Sequence, residues 1–138
     1  MSIDRNIESR FGAFGDHDWA WRKMRHVDDD FAAPNGRVAV AEDEAGAFAG
    51  YVTMRLDREA GVGTIPNLAV RADLRGKGLG RRLIEHALGV FREEGLKIAR
   101  IETLEQNEIG RHLYPQLGFV EVARQLHFAM RLDGAQAL

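Results

Sequence analysis

Arg75-Gly76-Lys77-Gly78-Leu79-Gly80 separates two apolar stretches of different period. Before it, Thr64-Ile65-Pro66-Asn67-Leu68-Ala69-Val70 is short, apolar and bounded by turn residues, which predicts a buried strand. After it, Arg81 to Glu94 begins a helix, with apolar residues at 79, 83, 84, 87, 88 and 91 on one face. A glycine-rich turn between a strand and a helix points unpaired backbone N–H groups at one spot, beside the positive end of the helix dipole. Such a spot binds phosphate.

Working outward, Gly95 stops the long helix and Ile98 to Leu104 reads as the next strand. Asn107 opens a short helix with Ile109, Leu113 and Leu117 in register. Phe119 to Ala123 and Leu126 to Leu132 read as closing strands, the last alternating at Leu126, Phe128, Met130 and Leu132, and Asp133 to Leu138 as a loose tail. On the N-terminal side, Val38 to Ala41 and Phe48 to Asp57 form a hairpin. In its second strand Phe48, Gly50, Val52, Met54 and Leu56 share one face, and Tyr51, Thr53, Arg55 and Asp57 the other. Asp16 is read as the N-cap of a helix of about fifteen residues carrying Ala20, Met24, Val27 and Phe31. Asp28-Asp29-Asp30 lies badly at that helix's negative end, so fraying and solvation are expected there. This order implies a mixed sheet with helices packed on it.

Composition narrows the function. The chain has 138 residues, 45% hydrophobic and 29% charged, which suits one soluble domain spanning residues 1–138. A net charge of −2 gives no electrostatic footprint for nucleic acid. No apolar run is long enough for a membrane span, and the N-terminus lacks a signal peptide's apolar core. Zero cysteines exclude disulfides and a covalent thiol intermediate, and suit a cytoplasmic setting. His17, His26, His86, His112 and His127 show no metal-ligand spacing, so no metal is expected.

Which phosphate ligand fits follows from spacing. The Walker pattern G-x-x-x-x-G-K-[ST] is absent. A dinucleotide-binding turn would find a ribose acid in Glu102, but the glycines are spaced G-x-G-x-G. The units a Rossmann half needs do not follow either. The third reading is a family resemblance. Arg75 to Gly80 matches the R/Q-x-x-G-x-G/A motif of the GNAT superfamily of acetyl-CoA-dependent N-acetyltransferases, and Leu68 to Leu74 looks like that family's approach to the turn. Downstream, Asn107, Leu113-Tyr114 and Leu117-Gly118-Phe119 resemble its second block, N…LY..LGF. The two blocks together span about residues 64–120. The resemblance implies an α/β (α+β) fold, with a mixed, mostly antiparallel central sheet and helices on both faces.

The resemblance also implies roles. Backbone N–H groups across Arg75, Gly76, Lys77, Gly78, Leu79 and Gly80 would hold the coenzyme A pyrophosphate, with Arg75 and Lys77 adding positive charge. Leu68 and Val70 match positions whose backbone serves pantetheine and the thioester, while their side chains read as core. Asn107 is a cofactor contact by resemblance and a helix N-cap by its residue type. Tyr114 is the candidate general acid, because a phenol with a pKa near 10 stays protonated at neutral pH. Pro115 should kink or loosen the helix around it.

Here the chain departs from the pattern. Many family members carry a carboxylate on the strand before the turn, and Ile65-Pro66-Asn67-Leu68 has none. Glu102 is the candidate base, with Asp57 and Glu59 as further options. Family members also commonly open with a strand and two helices, and only Ile3 to Ile7 could supply that strand. Phe11, Phe14 and Trp19 read as packing residues, or as the lining of an acceptor pocket or dimer contact. The expectation is acetyl transfer to a small-molecule or peptide amine by direct attack in a ternary complex, without nucleic acid or membrane, in a chain compatible with a homodimer. A non-catalytic acyl-CoA-binding module is the alternative.

Overall fold

Alternation between residues 48 and 57 produces the longest strand and the frame for the other elements. The computed structural model describes residues 2–133. Its helices are α1 (Ile3–Phe11), α2 (Trp19–Ala32), α3 (Leu79–Glu93) and α4 (Glu108–Gln116). Its strands are β1 (Gly36–Glu42), β2 (Phe48–Asp57), β3 (Val62–Ile65), β4 (Leu68–Val70) and β5 (Ile98–Ile101). The sheet runs β1-β2-β3-β5, with β4 also paired to β2; all pairings are antiparallel except β3 with β5. This is the mixed, mostly antiparallel sheet that the sequence predicts.

The even-numbered face of β2 forms the core. Val52, Met54 and Leu56 are buried against Leu83, Ile84, Ala87 and Phe91 of α3, the residues its helical stripe predicts. Phe48, assigned to the same face, is exposed at the strand's start. The odd-numbered face meets α2: Phe31 lies edge-on to Tyr51 at 5.3 Å, and Asp30 pairs with Arg55. Helices therefore cover both faces. Glycine permits the closest approach between them, since a Cβ on Gly63 would sit 2.5 Å from the ring of Phe91.

The strand predicted over residues 64–70 is divided. Arg55 faces Thr64 and Val52 faces Leu68, so Thr53 and Met54 on β2 oppose Ile65, Pro66 and Asn67 on the other strand. One extra residue makes a β-bulge, and Pro66, which has no N–H, interrupts the ladder without stranding a donor there. β5 follows β3 from Val62↔Ile98 to Ile65↔Ile101 and goes no further, although Ile98 to Leu104 was expected as strand. Beyond Ile65 the sheet forks: β4 stays with β2, and no strand joins its other edge among the described residues.

Both ends of the chain depart from expectation. Ile3 to Ile7 is helical, since Ser2 caps α1 by accepting the Arg5 N–H at 3.1 Å. Asp18, and not Asp16, caps α2 through the Trp21 N–H at 2.9 Å. α2 then continues through Asp28-Asp29-Asp30 without fraying, because Asp30 is held by Arg55 and Asn67. Asn6 and Gln106 exchange two side-chain amide hydrogen bonds, at 3.2 and 3.1 Å, tying α1 to the approach to α4.

Residues 119–132 form no strand. Val122, Leu126, Phe128 and Leu132 are almost wholly exposed. Alternation records which side chains a paired strand would bury; it does not supply the partner edge, and the ladder ends at β5. The expected tail lies, apart from Asp133, outside the described residues. No helix among them is long and apolar enough to cross a membrane.

Gly63→Ala should lower stability by about 1–3 kcal/mol, because Phe91 must leave its seat on β3. Thermal denaturation followed by circular dichroism reads this as a fall in Tm of several degrees.

Candidate functional site

The turn before α3 has the form that its glycines require. Gly76 and Gly78 sit at φ of 78° and 82°, where L side chains are strained, and Gly78 is the left-handed N-cap of α3. Among the described residues, the N–H groups of Gly76 through Arg81 find no backbone acceptor; the next amide, Arg82, bonds the Gly78 carbonyl at 3.1 Å. Arg75 and Lys77 form no ion pair among the described residues. The result is a cluster of free donors at a positive helix end. Gly80 faces β4 from the first turn of α3. A Cβ there would meet the Leu68 and Val70 side chains at 3.8 and 3.9 Å, ordinary contact, so helix and strand pack closely at this point.

Arg71 fixes this turn to the sheet. Its guanidinium meets both oxygens of Asp73 at 2.6 and 3.0 Å, Asp43 of the β1–β2 hairpin at 3.0 Å, and the Phe48 carbonyl at 2.7 Å. Asp43 also accepts the Ala45 and Ala47 N–H groups, both at 2.9 Å. The Ala47 amide, then Arg71, hold the Asp43 carboxyl below its ordinary pKa. Arg71 does the same for Asp73, and both carboxylates push the guanidinium higher.

The edge of β4 supplies the second set of backbone groups. Thr53 donates its N–H to the Asn67 carbonyl at 2.9 Å, and Arg71 donates to the Ala49 carbonyl at 2.8 Å. Odd-numbered residues thus address β2, and by antiparallel alternation the N–H and C=O groups of Leu68 and Val70 point to the unpaired edge. Their side chains pack against the core.

Glu102 lies one residue past the last β3–β5 rung, on the other prong of the fork. It lines a cleft of about 330 Å³ with Asp30, Arg55, Thr64, Ile65 and Pro66, and its carboxylate lies 3.5 Å from Arg100. Asp57 and Glu59 are at the opposite end of β3. There Asp57 caps the turn by accepting the Ala60 N–H at 3.0 Å. These two are not part of the site.

Helix α4 carries the remaining residues. Asn107 is its N-cap: Oδ1 accepts the Gly110 N–H at 3.2 Å and Nδ2 donates to Thr103 Oγ1 at 2.9 Å. Tyr114 is partly buried, edge-on to Phe119 at 6.1 Å. Burial pushes its phenol above the ordinary value of 10.0, so it stays a proton donor. Pro115 removes a bond near the helix end, where the chain instead closes through Phe119 N–H to Tyr114 O and Gly118 N–H to Pro115 O, both 3.1 Å. Gly118, at φ of 102°, makes this a Schellman cap. The expected loosening is thus absorbed by an ordered ending. Phe11, Phe14 and Trp19 belong to the α1–α2 region, where Arg22 covers Phe14 and Arg5 covers Trp19. The sequence reading missed Asp30, Asn67, Thr53 and Arg71. Only the Pro66-Asn67 pair carried a signal, as a turn-prone interruption of a strand.

A family model described as the acetyltransferase (GNAT) family matches residues 5–119. Mycothiol acetyltransferase of Propionibacterium freudenreichii subsp. shermanii is 32% identical over 102 residues, covering 72% of this chain and 32% of that protein. The ribosomal protein bS18-alanine N-acetyltransferase of Escherichia coli is 32% identical over 73 residues, 53% of this chain and 49% of that protein. The chain spans about a third and about half of the lengths of these two relatives. The solved structure of IAA acetyltransferase from Bacillus cereus is similar at a TM-score of 0.66 and 25% identity, covering 72% of this chain and 63% of that one.

The Arg71 clamp sets an acid limit. Asp43 and Asp73 have folded pKa values below the unfolded 3.8, so they stabilise the fold above that value and cease to as pH falls through the lower folded values. Tm measured from pH 7 to pH 2.5 should fall once the pH drops below about 4. Asp43→Asn should be less stable at pH 7 and show a shallower acid loss.

Proposed function

Because the chain belongs to the acetyltransferase (GNAT) family, we propose that it transfers an acetyl group from acetyl-CoA to a primary amine held in the cleft beside Glu102. The observation that carries this reading is the juxtaposition at the fork. An open β4 edge and a turn of unpartnered N–H groups belong to one strand–helix junction, and a carboxylate stands on the opposite prong. One sheet with one core supports reading the chain as a single acetyltransferase domain.

The residues present suit the donor. The amides from Gly76 to Arg81, with Arg75 and Lys77, match a diphosphate in charge and geometry. The Leu68 and Val70 backbone groups match the amide-bearing pantetheine arm, which would run along the open edge of β4. The thioester supplies the activated acetyl group. An outward N–H of β4 stabilises negative charge on the carbonyl oxygen, a donor of a kind typically worth about 3 kcal/mol. Glu102 takes the proton that the attacking amine releases, directly or through water, and Tyr114 gives its proton to the departing sulfur. Asn107 acts at the cofactor by holding the start of α4, both polar ends of its side chain being engaged there. A chain with no cysteine favours direct attack with both substrates bound.

The acceptor is a small-molecule or peptide amine. The cleft offers the Glu102 carboxylate beside the Asp30–Arg55 pair, a polar lining suited to a charged acceptor. Acetyl-CoA consumption across a panel of amines tests the proposal. Coenzyme A binding without turnover on any acceptor would identify a non-catalytic acyl-CoA-binding module instead.

Tyr114→Phe should lower turnover at least tenfold while coenzyme A affinity, measured by calorimetry, stays unchanged. Gly78→Val should abolish coenzyme A binding, because valine cannot hold φ near +82°.

A further inference from the structure

Thr53 is completely buried yet polar, in the middle of a strand whose neighbours Val52 and Met54 are core. Its hydroxyl does unusual work at the bulge. In a regular antiparallel rung, Asn67 would donate its N–H to the Thr53 carbonyl. Here that N–H goes to Thr53 Oγ1 at 2.9 Å, while the Thr53 N–H still reaches the Asn67 carbonyl at 2.9 Å. The hydroxyl in turn faces that carbonyl at 3.4 Å. A side-chain oxygen therefore replaces a main-chain one and lets the facing strand carry one extra residue without orphaning an amide. Asn67 is held from a second side, because its Nδ2 donates to the Asp30 carboxylate that Arg55 also grips. The residue after Asn67 is Leu68, the first with backbone groups on the open edge.

We propose that Thr53 is a positioning residue for the acyl donor: its hydroxyl sets the bulge, and the bulge aims the Leu68 and Val70 backbone groups at the pantetheine arm. The inference rests on the reading of the β4 edge as a cofactor edge. It goes beyond that reading by assigning the aim of the edge to one side chain on the neighbouring strand. Without the hydroxyl, the Asn67 amide must seek the Thr53 carbonyl, which draws the strand toward regular register and turns the edge groups away.

Two ligands separate this role from general damage. Acetyl-CoA would use both the glycine turn and the β4 edge; adenosine 3′-phosphate 5′-diphosphate, which lacks the pantetheine arm, would use the turn alone. Calorimetry on the full chain should show Thr53→Val binding acetyl-CoA about tenfold more weakly than wild type, the effect of losing one or two aligned hydrogen bonds. Its affinity for the truncated nucleotide should be unchanged. Thr53→Ser, which keeps the hydroxyl, should recover acetyl-CoA affinity to within about threefold of wild type. Thr53→Val binding acetyl-CoA as wild type does would overturn the positioning role, as would an equal loss for both ligands. Failure of the wild-type chain to bind either ligand would instead overturn the cofactor reading itself.

Discussion

One extra residue between Ile65 and Leu68 governs the architecture. A strand with a perfect register would run along β2 without a break from Val62 to Val70. The bulge divides it into a half that holds β5 and a half that does not. From that division come the free edge of β4, the cleft lined by Pro66 and the position of Glu102 at the fork. A sheet normally satisfies its backbone by pairing; this one leaves polar groups available where a ligand can satisfy them.

The packing holds that opening steady. α3 presses Leu83, Ile84, Ala87 and Phe91 onto the even face of β2, and its N-terminal turn overlies β4 through Gly80. The far end of α3 closes at Gly95 in a Schellman cap, with Leu96 N–H on the Phe91 carbonyl and Gly95 N–H on the Arg92 carbonyl, both at 3.0 Å. Glu94, beside that cap, accepts from Arg58 and Arg37, which depress its pKa and join helix, hairpin and β1. Helix α3 is thus fixed at both ends, by Gly78 and Arg71 at one and by Gly95 and Glu94 at the other.

Much of this was legible in the sequence where a residue type and a local geometry correspond one to one. Gly76, Gly78, Gly95 and Gly118 all adopt the positive φ that turns and caps demand. The stripe of α3 and the alternation of β2 report burial directly. The bulge was less legible, because residues 64–70 are apolar throughout and a register shift is a relation between two strands. Asp30 was misjudged for a similar reason: its charge suits a helix end poorly, and only the distant Arg55 and Asn67 make it an anchor. Helix α1 fully buries none of its residues, so its periodicity was faint. The alternation after Phe119 was real in the sequence, yet pairing needs an edge as well as a pattern.

The attachments on either side of the site differ in kind. The turn before α3 is anchored by a guanidinium shared between carboxylates. The link from the loop before α4 to α1 is made by two neutral amides, Asn6 and Gln106. Dissolved ions screen the first and leave the second almost untouched. Rising ionic strength therefore loosens the hairpin's hold on the turn before α3 while the amide link between α1 and Gln106 keeps its strength.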